Sequence, residues 1–337
     1  MLAEELHELN CSVIGVPKTI DGDLQIDDLL PISFGFDTAT KIYAELVGNI
    51  LQDTPSSRKY WHFVKLMGRS ASHVTLEVAC QTHPTMTLIS EEIAKEKITL
   101  HQLVDNIFKT IIQRSKNGLN HGVILIPEGL LEFLYDFNPL IQKLNTILAT
   151  HDFDGSKNNK LSQICNYLSK NEMILLKSLP KTIQDQLLMD RDSHGNLKVS
   201  QIDTQELLIH LISSKLLKEH SDISFNALSH FFGYEGRCGA PSLFDSSYTF
   251  NLGCVAGSLV LQGHTGYMAS IKDIHKNPQP IGIPLTGLLT IENRGSEKPI
   301  VIKKSLVQVE SPAFKYFKEN KDKWANTDSF CSPGPRQ

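Results

Sequence analysis

The sequence lacks the features that would place it in several large classes. No Cys-x-x-Cys pair occurs. Cys11, Cys80, Cys165, Cys238, Cys254 and Cys331 lie far apart, which argues against a zinc ribbon or disulfide scaffold and fits a reducing cytoplasm. Basic residues are not in surplus: 33 Lys and Arg stand against 37 Asp and Glu, a net charge of −4. Binding a phosphate backbone needs a clustered basic excess, so no nucleic acid partner is expected, and any phosphate held here is small and held locally. No apolar run reaches the roughly 20 residues of a membrane-spanning helix, so no membrane partner is expected either. The opening MLAEELHELNCSVIGVP has no basic region and no small-residue cleavage site, and does not read as a secretory signal. A Walker A sequence, a dinucleotide-type glycine fingerprint and a solenoid repeat are also missing.

What is present is a chain of 337 residues, 41% hydrophobic and 21% charged, enough for about two domains with a sizeable core. Leu2, Leu6 and Leu9 recur at helical spacing. The apolar runs Val13–Val16, Phe63–Met67, Met86–Ile89 and Val123–Ile126 read as strands separated by amphipathic stretches. One such stretch carries Phe36, Thr40, Tyr43, Val47 and Ile50 on one face. Continuous apolar strands alternating with helices predict an α/β fold, with parallel sheets covered by helices. Residues 147–225 differ: they are Leu-rich at helical spacing (Leu207, Leu208, Leu211, Leu216, Leu217), carry a His-Asp-Phe-Asp-Gly-Ser turn and read as a helical insertion. Strand candidates return at Ile281–Leu285 and Ile300–Val309, and the tail after Phe330 reads as coil. The expected division is 1–58 as part of a first α/β domain, 59–146 as the first part of a second, 147–225 as the insertion and 226–337 as their completion.

Four loops carry chemistry. Pro17-Lys18-Thr19-Ile20-Asp21-Gly22-Asp23 follows the first strand, at the carboxyl end where open α/β sheets bind ligands. It combines a cation, a hydroxyl and carboxylates, the parts needed for phosphoryl transfer, although an ordinary Asp-Gly turn accounts for the heptapeptide slightly better. Lys65-Leu66-Met67-Gly68-Arg69-Ser70-Ala71-Ser72-His73 places an arginine at a helix start, where anions are favoured. Helix capping explains Ser70 and Ser72 but not Arg69, and His73 reads as structural. Ile126-Pro127-Glu128-Gly129 ends a strand with a carboxylate suited to sugar hydroxyls; alone, a helix-start glutamate explains it better. Gly233-Tyr234-Glu235-Gly236-Arg237-Cys238-Gly239-Ala240-Pro241 offers Arg237 for a bidentate phosphate contact and follows no clear strand. Each loop offers one phosphate- or hydroxyl-binding group, and together they point to a phosphorylated sugar.

On GVPKTIDGDL (15–24), SFGFDTATK (33–41), KYWHFVKLMGRSASHVTLE (59–77), LIPEGL (125–130) and GYEGRCGAPSLFD (233–245), the chain resembles the phosphofructokinase family, and more closely its pyrophosphate-dependent branch of long chains. The resemblance runs over essentially the whole chain in family order. It implies two Rossmann-like domains, with a helical insertion where that branch has one. It also implies transfer of a phosphoryl group from pyrophosphate to the 1-hydroxyl of fructose 6-phosphate. Asp21 matches the proton acceptor, and Lys18 the lysine that stabilises transition-state charge when pyrophosphate is the donor. Thr19 and Ile20 complete the substrate-contacting triplet. Met67, Gly68 and Arg69 match the sugar-phosphate loop, Glu128 the hydroxyl-binding carboxylate, and Tyr234, Glu235, Gly236 and Arg237 the loop closing on the 6-phosphate. Lys59 and Tyr60 match a pair that in the family's dimers reaches into the neighbouring subunit, so a homodimer is implied.

The family's glycine-rich donor loop and its Gly-Gly-Asp segment, whose carboxylate holds Mg2+, have no match here. This chain therefore resembles a member lacking its N-terminal portion. The expectation is that it keeps most sugar-phosphate contacts but lacks the donor and metal site. Measured pyrophosphate-dependent turnover by the 337-residue chain would contradict that expectation. The rival readings are an ATP-dependent kinase, a catalytically silent sugar-phosphate-binding or regulatory subunit, and, more weakly, a sugar-phosphate isomerase.

Overall fold

The computed structural model describes residues 11–26, 28–151, 153, 157–188, 201–291 and 300–334. The expected helix over Leu2, Leu6 and Leu9 lies outside them, as does most of the His151–Ser156 turn. The chain divides into two compact units. Unit 1 comprises 1–43, 234–306 and 335–337; unit 2 comprises 44–233 and 307–334.

Unit 2 is built on an all-parallel sheet of order β3-β4-β2-β5, formed by β2 (Trp61–Leu66), β3 (Met86–Thr87), β4 (Gly122–Pro127) and β5 (Ala227–Phe232). Trp61 pairs with Gly122 and with Ala227, so β2 and its two neighbours run in step to their carboxyl ends. Every residue of β2 and β4 is buried, as expected of strands covered on both faces. Gly122 is required where it stands: a Cβ there would lie 2.6 Å from the Trp61 ring and 2.8 Å from Thr85 Oγ1. Around this sheet pack α2 (His73–Thr82), α3 (Ser90–Lys95), α4 (Leu100–Lys116) and α5 (Phe137–Thr150). The 147–225 stretch is helical where described, with α6 (Lys157–Cys165), α7 (Lys170–Ser178), α8 (Lys181–Leu187) and α9 (Thr204–Glu219). Its Leu176, Ile183, Leu207, Leu208, Ile212 and Leu216 join the same apolar core as Phe63, Ile107 and Ile124.

The final helix, α11 (Pro312–Asn326), packs on α2. The coil behind it is anchored by hydrogen bonds from buried Arg114 and His121. Arg114 donates from Nη2 to Asp328 Oδ1 (2.7 Å), from Nη1 to the Ala325 carbonyl (3.1 Å) and from Nε to the His121 carbonyl (3.0 Å). His121 Nε2 meets Asp328 Oδ2 at 2.8 Å.

In unit 1, β1 (Ile14–Gly15) lies parallel to β6 (Tyr267–Lys272), and β7 (Gln279–Pro284) runs antiparallel on the other side of β6. β8 (Leu289–Ile291) and β9 (Ile300–Ile302) form a separate antiparallel ribbon. The first two turns of α1 (Phe36–Ser57) belong to this unit and the remainder to unit 2. The other helix is α10 (Leu243–Leu261). Its Tyr248, Leu252 and Val255 pack with Ala269 and Ile271 of β6, while Leu243, Phe250 and Leu261 are exposed. No helix among the described residues is long and apolar enough to cross a membrane.

The glycine-rich loop at 233–241 does follow a strand, β5, which ends at Phe232. Ala-Leu-Ser-His-Phe-Phe gave no strand signal because β5 is an edge strand whose side chains are only partly covered, so no continuous apolar run was required of it.

Candidate active site

Strand ends position the predicted groups, and each unit holds its own set. In unit 1, β1 delivers the chain into the Pro17–Asp23 loop. Lys18 is exposed and Asp21 is 9% exposed. Thr19 shapes the turn: its Oγ1 accepts from the Asp21 amide (3.1 Å) and donates to Asp21 Oδ2 (3.3 Å). That hydrogen bond points the carboxylate by a local contact, as Ser and Thr hydroxyls do in turns. Ile20 is buried. A second strand-like segment runs alongside: the Phe34 amide donates to the Pro17 carbonyl (3.0 Å), and Ser33 Oγ donates to the Thr19 carbonyl (2.9 Å). Gly35, at φ +95°, makes the sharp exit into α1.

Also in unit 1, Tyr234–Gly236 form a short 3-10 turn, and the Arg237 amide donates to the Tyr234 carbonyl (3.0 Å). Gly236 is there for space, since a Cβ would fall 2.2 Å from the Tyr43 ring. Tyr234, Glu235 and Arg237 are exposed, and the Arg237 guanidinium lies 5.8 Å from the centroid of the Tyr234 ring.

In unit 2, β2 and β4 end side by side, which brings Met67, Gly68 and Arg69 to Glu128. Glu128 Oε2 accepts from the amides of Gly68 (3.1 Å) and Arg69 (2.9 Å). The loop bends at Arg69, with φ at 47°, and passes so close to Gly129 that a Cβ there would lie 2.6 Å from the Arg69 carbonyl oxygen. The other carboxylate oxygen, Glu128 Oε1, is buried and has no hydrogen-bond partner among the described residues. A buried acceptor of that kind is costly unless a ligand or water donates to it. Glu128 is thus no helix cap: a 3-10 turn, Leu130–Phe133, follows it, and its role is to clamp the loop.

The far end of this loop is held by a residue the sequence reading did not single out. Glu91 Oε1 accepts from the amides of Ser72 (3.1 Å) and Val307 (3.0 Å). Ser72 stands at the N-cap of α2, but its hydroxyl does not cap the helix; it accepts from the Ser90 amide (2.9 Å). His73 opens α2. Lys59 and Tyr60 stand exposed just ahead of β2.

Among the described residues, no three His, Cys, Asp or Glu side chains converge as a metal-binding group. An open cavity of about 1140 Å3 in unit 1 is lined by Phe244, Tyr248, Ile271 and Ile281, and none of the predicted site residues faces it.

Comparison with known proteins fits these loops. The phosphofructokinase family model matches residues 1–260. The chain is 44% identical over 346 residues to a pyrophosphate–fructose 6-phosphate 1-phosphotransferase beta subunit of Arabidopsis thaliana, covering 100% of this chain and 60% of that one. It is also 44% identical to the enzyme of that name from Entamoeba histolytica, covering 98% and 62%. The chain thus spans about three fifths of the length of these relatives. The solved structure of a pyrophosphate-dependent phosphofructokinase from Marinobacter aquaeolei superposes with a TM-score of 0.52 at 12% identity, over 98% of this chain and 64% of that one, and so shares the fold. With its family model, its relatives and its α/β architecture in agreement, the chain belongs to the phosphofructokinase family.

Proposed function

We propose that this chain carries the acceptor-sugar contacts and the proton acceptor of a phosphotransferase acting from pyrophosphate on fructose 6-phosphate. In that reaction the 1-hydroxyl oxygen attacks one phosphorus of pyrophosphate and a new P–O bond forms. The bridging P–O bond breaks, inorganic phosphate leaves, and the hydroxyl proton passes to the Asp21 carboxylate. Lys18, exposed on the same loop, supplies positive charge where it develops in the transfer. Glu128 Oε1 accepts from a sugar hydroxyl. Arg69 and Arg237 bind phosphate oxygens in a way a lysine could not match for geometry. Pyrophosphate as donor follows the names of the relatives, which are about 44% identical to this chain.

The observation that carries this reading is the Pro17–Asp21 loop. It holds a carboxylate, a cation and a hydroxyl at a strand end, with Asp21 oriented by its own backbone turn. The same proposal includes a homodimer, with Lys59 and Tyr60 exposed to a second copy, a cytoplasmic location, and residues 147–225 as an insertion in the second α/β domain.

Calorimetric titration tests it without requiring turnover. The wild-type chain is expected to favour fructose 6-phosphate over its 1-deoxy analogue by at least about tenfold, the lower end of the value of one hydrogen bond to a charged group. Asp21→Ala is expected to erase that preference. Equal affinity of the wild-type chain for the two sugars would refute the assignment of Asp21.

A further inference from the structure

Two buried side chains of α10 act on the Pro17–Asp21 loop through the segment that lies beside it. Asp245, 3% exposed, accepts from the Gly35 amide (2.9 Å), the Thr38 amide (2.8 Å) and Thr38 Oγ1 (2.5 Å). One turn along α10, Tyr248 Oη donates to the Ile32 carbonyl (2.9 Å). Residues 32–38 are therefore fixed at both ends by one helix. Between those ends, Ser33 and Phe34 hold Thr19 and Pro17. At Gly35 the backbone lies against the loop, where a Cβ would make ordinary contact with Ile20 Cγ2 at 3.4 Å.

The network is closed on itself. Ser242, the N-cap of α10, donates from Oγ to Asp37 Oδ2 (2.5 Å) and from its amide to Thr38 Oγ1 (3.0 Å), while its hydroxyl accepts from the Asp245 amide (3.2 Å) and Asp245 in turn caps the start of α1. A solvated acidic cap would explain a single bond to a helix amide. It does not explain a carboxylate buried at 3% with three donors, or the tyrosine hydroxyl aimed at the same segment. Burial, and then Asp245 beside it, pushes the Tyr248 hydroxyl up to about 12, so it stays a proton donor throughout the working range.

We infer that Asp245 and Tyr248 are positioning residues for the reaction: they fix the Ile32–Thr38 segment and thereby the placement of Lys18 and Asp21. This rests on the proposed role of Asp21, but it is tested independently of that role by amide hydrogen exchange on the 337-residue chain. Tyr248→Phe keeps the ring and removes only the hydroxyl. It is expected to speed exchange at the Phe34 and Asp21 amides by three- to tenfold, with Ala269 of β6 and Val47 of α1 unchanged. Asp245→Asn is expected to speed it tenfold or more at the same two amides. In both variants affinity for fructose 6-phosphate is expected to fall toward that for the 1-deoxy analogue. If exchange rises at Gly35 and Thr38 alone, leaving Phe34 and Asp21 as in wild type, the side chains are only helix caps and the inference is overturned. If the exchange shift appears but the wild-type chain makes no distinction between the two sugars, the positioning stands and the role of Asp21 fails.

Discussion

Glu128 is the side chain whose removal should do most to the Met67–Arg69 loop, and the size of the effect follows from the two amides that donate to it. Glu128→Ala deletes two hydrogen bonds from backbone amides to a buried carboxylate, at 3.1 and 2.9 Å. Each such bond to a charged acceptor contributes about 1.5–3 kcal/mol. Gly68 is buried, so its amide loses its partner with no water to replace it; Arg69 is exposed, and water recovers part of that loss. A net cost of about 2–3 kcal/mol for holding the loop follows, equivalent to roughly 30- to 150-fold in affinity for a ligand that needs the loop in place. Glu128→Gln keeps an oxygen acceptor for the two amides and loses mainly the charge, so about 1 kcal/mol, or five- to tenfold, is expected. Calorimetry with fructose 6-phosphate gives the affinities, and urea unfolding shows whether either variant has simply lost structure. Alanine binding within twofold of wild type, or alanine and glutamine losing affinity equally, would refute the view that Oε2 clamps the loop.

Other parts of the molecule yield expectations of the same kind. Burial raises the Asp328 carboxyl, but the hydrogen bonds from Arg114 and His121 outweigh it and hold the group low; Asp328→Asn should lower unfolding stability by about 1–3 kcal/mol in urea, with earlier proteolysis after α11. The buried ring of His62 stacks on the half-buried ring of His230, with Nδ1 of the first 3.0 Å from Nε2 of the second. Burial and then His230 push His62 down to about 4 against a weaker upward pull from Asp53. The unfolded chain therefore binds the extra proton first, between about pH 6.5 and 4, and stability is full above 6.5 and falls as pH drops through that window. The expected loss is on the order of 1–2 kcal/mol after allowing for solvent screening; a melting temperature unchanged from pH 7 to 5, or the same slope in His62→Phe, would contradict it. Burial, with Glu77 adding to it, pushes the Cys80 thiol up to about 12, so at pH 8 a thiol reagent should label exposed Cys11, Cys238 and Cys254 well before Cys80.

The sequence was most readable where local chemistry and burial agree. β2 and β4 showed as apolar runs because both are covered on each face, and the Lys18–Asp21 loop was visible because it directly follows an apolar strand. β5 was hidden because an edge strand need not be apolar. Ser72 misled because an N-cap serine usually caps its own helix, whereas here Glu91 takes its amide and its hydroxyl serves Ser90. Asp245 and Tyr248 lie more than 200 positions from the segment they hold, at the start of an ordinary-looking helix. No spacing rule reaches across such a distance. Their three-residue separation on one helix face becomes informative only once Ile32 and Gly35 are known to lie opposite.

The proposed recognition of fructose 6-phosphate rests on the loops at the strand ends. Its most direct test is a calorimetric titration of the 337-residue chain with fructose 6-phosphate, glucose 6-phosphate and inorganic phosphate at one ionic strength. Saturable one-to-one binding of fructose 6-phosphate, at least tenfold tighter than either competitor, is expected. No saturable binding, or equal affinity for all three, would contradict it.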